Sequence, residues 1–184
     1  KELKIFGISD ANGAARTARL RETLEVVTRL WTGEPVSFDG EFFRLSEAQQ
    51  LPKPTRPIPV VIGGTAPATL GIVRDFASWW NVPAHHISRL EERRGLVGSA
   101  RVSLQQMVTL VPRGADGSEI LKMADRRFGW MGDVGRAAGS GAELVANFES
   151  HRRLGVERFY VWFTDFAEPD TLRAFGTEVI DQVG

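Results

Sequence analysis

The chain contains no cysteine, which excludes disulfides, thiol nucleophiles and every metal site that needs a thiolate. Its formal net charge is zero and no stretch is strongly basic. Nothing electrostatic therefore speaks for nucleic acid or an anionic membrane surface as a partner. No apolar run approaches the ~20 residues of a membrane span. The opening KELKIFGISD has neither an initiator methionine nor the apolar centre of a signal peptide. Lys1 thus reads as a point where a longer chain was cut or where its ordered part begins, and a reducing, cytoplasmic setting is expected. Histidine is scarce, with three in all. No His/Asp/Glu set has metal-ligand spacing and no Ser–His–Asp set is evident, so no metal is expected.

What is there is a chain of 184 residues, 42% of them hydrophobic, enough for one α/β domain over 1–184 with a core of its own. Between Ala14 and Trp31, Leu20, Leu24, Val27 and Trp31 recur at helical spacing, and Gly33 and Pro35 stop the helix. EPVSFDGEFFRL follows. Its Asp39-Gly40 pair suits a two-residue hairpin turn between strands at 35–38 and 41–45. IPVVIG, 58–63, is apolar on both faces, as a buried parallel strand is. Thr65 is a good N-cap and Pro67 suits a first turn, which predicts a helix over 66–76.

Further strands are predicted at 77–82, 101–112 and 157–165, and helices at HISRLEERRGLV, at 117–128, at SGAELVANFESHRRLG and at the C-terminus. WMGDVGRAAGSG reads as a Gly-rich connection, and His151, beside two arginines, as a surface residue. Strands and helices alternate, which means a parallel sheet with crossover helices: four parallel strands plus the hairpin. A complete (β/α)8 barrel usually takes ~250 residues, so the pattern fits half of one or a small open sheet.

In a parallel α/β fold the C-terminal strand ends face the ligand. At the first of these ends, Gly63-Gly64 permits backbone N–H groups to approach a phosphate, with a helix N-terminus behind them and the Thr65 hydroxyl beside them. The plainer reading is a tight strand-to-helix turn. The other ends are Trp80-Asn81, Pro112-Arg113 and Thr164-Asp165, so a hydroxyl, an amide, a guanidinium and a carboxylate would ring one pocket mouth. Arg113 suits an anion but equally reads as an exposed loop residue. Trp79 and Trp80 point to opposite faces, one under the helices and one towards the mouth, although core packing alone accounts for both. His85 and His86 follow the second strand end and are acid–base candidates, or solvated loop residues. Gln106 interrupts the apolar set Val102, Leu104, Val108 and Leu110, and is either aimed at the pocket or set in a helix–strand gap.

RLRETLEVVTRLWTGEPVSFDGEFFRL, RPIPVVIGG, FASWWN and GSGAELVANFESHRRLGVERFYVWF, taken together, resemble the second half of the luciferase-like flavin and deazaflavin oxidoreductases. The resemblance runs from about Arg16 to Val179. It departs at Ala77-Ser78-Trp79-Trp80-Asn81, where the family commonly has Ala-Asp-Gly-Trp-Asn. It implies a TIM barrel of which this chain covers about the C-terminal half. It also implies a phosphate of the cofactor near Gly63 and Gly64, and Thr65, Trp80 and Asn81 are the further cofactor-binding candidates.

For activity the resemblance implies hydride transfer to or from coenzyme F420 and a small organic substrate, or oxygen activation on FMN in a monooxygenase. A non-catalytic, flavin-binding or dimer-forming member is a third reading. His85, Arg113 and Asp165 are the candidates for substrate or anion. The acid–base residue falls in a half that this chain does not contain. Half a barrel also predicts unpaired strand edges and an apolar inner face, closed by an N-terminal half or by a second chain in a dimer.

Overall fold

A computed structural model describes residues 12–183. They form two compact units, one ending at Pro59 and one beginning at Val60.

In the first unit the helix α1 spans Gly13–Leu30, and the side chain of its N-cap, Asn12, accepts from Ala15 N–H. Of the predicted apolar stripe Leu20 is exposed, and the buried residue of the helix is Val26. β1 (Val36–Asp39) and β2 (Arg44–Ala48) pair antiparallel with Asp39 opposite Arg44. The turn is therefore not the two-residue one expected. It is a four-residue loop in which Gly40 N–H donates to Phe43 O at 2.9 Å. Glycine suits the close approach there, since a Cβ on Gly40 would overlap the Glu22 carboxylate and displace it. That carboxylate accepts from Phe42 N–H at 2.9 Å and Phe43 N–H at 2.6 Å, so α1 holds the loop by its backbone.

The second unit is a parallel sheet with helices: β3 (Val61–Gly63), α2 (Pro67–Phe76), β4 (Trp79–Pro83), a 3-10 turn (Ala84–Arg89) running into α3 (Leu90–Arg94), β5 (Arg101–Leu110), α4 (Gly117–Phe128), β6 (Arg136–Gly139), α5 (Gly141–Arg153), β7 (Val156–Phe163) and α6 (Pro169–Glu178). The four predicted strands are all present, and β6 is added to them from what reads as a Gly-rich connection. Four residues with two alanines and a glycine carry no strand pattern. They become one because β5 has a free stretch of edge to offer.

That edge explains the sheet. β4 pairs with β5 from Arg101 to Gln105, and β6 pairs with it from Met107 to Leu110. β7 pairs along β5 from Val102 to Val108, opposite both. β4 and β6 therefore lie end to end on one edge of β5, and Gln106 stands at the break between them.

Alternation sorts the two faces. Val108, Leu110, Phe159, Val161 and Phe163 meet Leu144 and Phe148 of α5 and Phe175 of α6 in the core. Phe148 lies edge-on to Phe159, and Phe163 to Phe175. The opposite face carries Trp79, Asn81, Ser103, Gln105, Arg158, Tyr160 and Trp162 by register. The predicted apolar inner face is thus largely polar. Ser103 Oγ donates to Asn81 Oδ1, Asn81 Nδ2 donates to Gln105 Oε1, and the Arg101 and Arg158 guanidinium carbons sit 4.3 and 3.9 Å from the Trp79 ring. A surface that lines a ligand site needs such groups, whereas one that is only core does not.

Candidate active site

Gly63 ends β3, and Gly64 follows with φ +119°, a conformation closed to residues with a Cβ. Two side chains then hold the turn from behind. Trp80 Nε1–H donates to Gly64 O at 2.8 Å, and the Arg93 guanidinium donates to Thr65 O. With those carbonyls engaged, the donors remain: among the described residues neither Thr65 N–H nor its hydroxyl has a protein partner.

Thr65 is not the helix cap that the sequence suggests. The N-cap of α2 is Ala66, which makes no side-chain capping bond, and Pro67 lies in the first turn. The first-turn N–H groups of α2 are therefore uncapped and add to the same set of donors. The turn pairs carbonyls tied back with donors left open, beside a cation, and that is the chemistry of an anion cradle.

The expected residues fall in three places. Gly63, Gly64, Thr65 and Asn81 belong to one neighbourhood, with Gly63 paired to Asn81 across the β3–β4 ladder. Trp80 belongs to it as a support, with its side chain 0% exposed. Of the tryptophan pair, Trp80 is thus the one under the helices, and Trp79 is on the other face.

His85 lines a second feature, a crevice of about 140 Å³ whose walls include Pro83, Gln105, Gln106, Trp130 and Trp162. It opens where β4 stops and β6 has not begun. Its rim is aromatic and exposed, with Trp130 81% and Trp162 57% accessible. The His86 ring lies 4.3 Å from that of His85, tilted by 49°. Burial, and then the charges of His85, Arg89 and Arg93, hold its pKa below the ordinary value.

The remaining two candidates do not converge on these sites. Asp165 is turned into its own loop, where it accepts from Ala167 N–H at 3.1 Å and from the Thr171 hydroxyl at 2.6 Å. Arg113 lines a separate groove with Gly141 and Glu178, and its backbone N–H donates to Glu178 Oε1. The single pocket mouth ringed by all four strand ends is therefore not formed. A third groove, about 390 Å³, is walled by apolar residues such as Phe148, Phe159, Phe175 and Val183 and offers no polar group to a reaction. His151 is half-buried rather than on the surface, with Nδ1 buried and unpartnered.

Arg93 is the residue that sequence reasoning misses. It sits in the charged run EERR, and only the fold carries it to the Gly-Gly turn. Among the described residues no group of three His, Asp or Glu is placed to hold a metal ion, and no helix is long and apolar enough to cross a membrane.

Residues 2–102 match the family model described as luciferase-like monooxygenase. An F420-dependent glucose-6-phosphate dehydrogenase of Nakamurella multipartita is 43% identical over 63 residues, which is 34% of this chain and 19% of that protein. The chain superposes on an F420-dependent secondary alcohol dehydrogenase in complex with an F420-acetone adduct at a TM-score of 0.75, with 17% identity, over 99% of this chain and 64% of that one. It superposes on EDTA monooxygenase from Chelativorans sp. BNC1 at a TM-score of 0.76, with 15% identity, over 98% and 63%. The match thus spans about a fifth of that curated relative and under two thirds of either solved chain. These likenesses give the fold, an α/β barrel of the luciferase-like type of which the present residues make a part. The chain belongs to the luciferase-like monooxygenase family.

Proposed function

We propose that the protein carrying this chain is an F420-dependent oxidoreductase that transfers hydride to or from a small organic substrate. The observation that carries the reading is the Gly63–Thr65 turn, where Trp80 and Arg93 hold the carbonyls of Gly64 and Thr65 and the Thr65 donors are open. The deazaflavin, when bound, supplies a two-electron carrier of hydride. The chain supplies binding and orientation: Gly63, Gly64 and Thr65 offer N–H groups to the cofactor's phosphate, Arg93 adds positive charge, and Asn81 sets the neighbouring strand. The relative named as F420-dependent supports this choice of cofactor. The likeness to a monooxygenase supports a second reading, an FMN-dependent monooxygenase that uses the same turn.

The test is a fluorescence titration of the full-length protein with F420 and FMN in parallel, for the wild type and Gly63→Ala. A Cβ on Gly63 meets nothing closer than Asn81 O at 3.7 Å, so the fold tolerates it, while a ligand needing close backbone approach does not. Selective F420 binding that falls at least tenfold in the variant is expected. Selective FMN binding moves the protein to the second reading. Binding of neither, or F420 binding indifferent to Gly63→Ala, overturns the assignment of the turn.

A further inference from the structure

Gln106 is 2% exposed, and its Oε1 is buried without a hydrogen-bond partner. Leaving a buried acceptor unmatched costs about 1–3 kcal/mol, so such an atom calls for an explanation. Register pairs Gln106 with Val161, on the helix side of the sheet, yet Gln106 lines the crevice together with Met107 and Trp162 from the other side. The break between β4 and β6 makes this possible, because the sheet has no neighbouring strand there to separate its faces. The crevice lies at the carboxyl end of β4, lined by Pro83, Ala84 and His85, and carboxyl strand ends are where parallel α/β sheets bind ligands.

The composition of the walls limits what enters. The crevice is lined by aromatic and aliphatic groups, two carboxamides and one ionisable side chain, His85. No arginine, lysine or carboxylate lines it, so a phosphate or carboxylate would lose its hydration with nothing to replace it. The volume of about 140 Å³ is close to the roughly 150 Å³ of a cavity known to hold one benzene ring. Gln105 Oε1 already accepts from Asn81, so of the two carboxamide oxygens Gln106 Oε1 is the open and buried one.

We propose that this crevice binds an uncharged, ring-sized, largely apolar molecule bearing one O–H or N–H donor, and that Gln106 Oε1 accepts from that donor. The proposal rests on the reading of the chain as part of a small-molecule oxidoreductase and names the substrate class: a neutral molecule rather than a phosphorylated sugar.

Phenol, benzene and phenyl phosphate serve as probes, titrated against the full-length protein without cofactor and followed by tryptophan fluorescence, since Trp130 and Trp162 line the crevice. Saturable phenol binding is expected, about tenfold tighter than benzene, with phenyl phosphate not bound. In Gln106→Leu the preference for phenol over benzene disappears while benzene still binds, which also shows that the variant is folded. Equal binding of phenol and benzene to the wild type overturns the proposal. So does a preference that survives in Gln106→Leu, or phenyl phosphate binding as well as phenol does. The cofactor titration above is independent. A phenol preference without F420 binding removes the F420 reading and leaves the crevice, whereas F420 binding without the preference does the reverse.

Discussion

The indole N–H of Trp80 donates to the carbonyl of Gly64 at 2.8 Å from a ring that is wholly buried. A core side chain thus fixes the conformation of a half-buried turn. Trp80→Phe keeps an aromatic ring but removes the donor and part of the volume. The expected loss is about 2–3 kcal/mol, combining an unmatched carbonyl with a cavity, read as a lower urea midpoint at unchanged slope. Cofactor binding in the full-length protein should weaken in the same variant.

The two glycines of the turn should behave differently. Gly64 has φ +119°, and a Cβ there would also crowd Thr69 Cγ2 at 3.3 Å. Gly64→Ala should therefore destabilise by about 1–3 kcal/mol. Gly63→Ala should stay within about 0.5 kcal/mol of wild type. Thermal melts of the pair check this, and equal losses would show that the backbone of Gly64 is not special.

How much of this was legible in the sequence depends on what each residue answers to. The helix over 117–128 and the strands at 101–112 and 157–165 follow local periodicity, and local periodicity predicts them well. β6 answers to a neighbour's free edge instead, so RAAG alone does not reveal it. The sequence shows that Trp79 and Trp80 part company but not which of them lies under the helices. Asp165 reads as a free carboxylate until Thr171, six positions on in the chain, is seen to take one of its oxygens. Gln106 was visible as an anomaly, and only the strand break explains it.

Phe166 and Ala167 both have φ 64°, a region that costs L-residues roughly 1–2 kcal/mol each. Ala167→Gly relieves one of the two and keeps the N–H that Asp165 accepts. After the greater freedom of glycine in the unfolded chain is subtracted, a net gain of up to about 1 kcal/mol remains. Differential scanning calorimetry should record a higher Tm, and a lower one would mean that the loop is not strained.

Acid should weaken the fold through histidine. Burial holds the His151 pKa below its ordinary value of 6.5, and His86 is lowered as well. The folded state therefore prefers these rings neutral. Their contribution is fully present above the unfolded pKa and is lost as pH falls through that value towards the folded pKa, because the unfolded chain takes up the protons more readily. Urea midpoints should drop between about pH 7.5 and pH 5.5, and His151→Gln should flatten part of that slope. A slope unchanged by the variant would assign the effect elsewhere.

β5 also sets the order in which the ribosome can deliver a finished sheet. β3 and β4 pair with each other, and β4 gains its second neighbour only when Arg101–Leu110 follows. The opposite edge of β5 then stays bare until Val156–Phe163 has been made. Throughout that interval the nascent chain displays an unpaired strand edge in a strand with apolar residues such as Val102, Leu104 and Val108, the kind of surface that invites aggregation or chaperone binding. Slowing translation between β5 and β7 lengthens the exposure, so the yield of soluble protein should depend on codon choice in that stretch more than in α6.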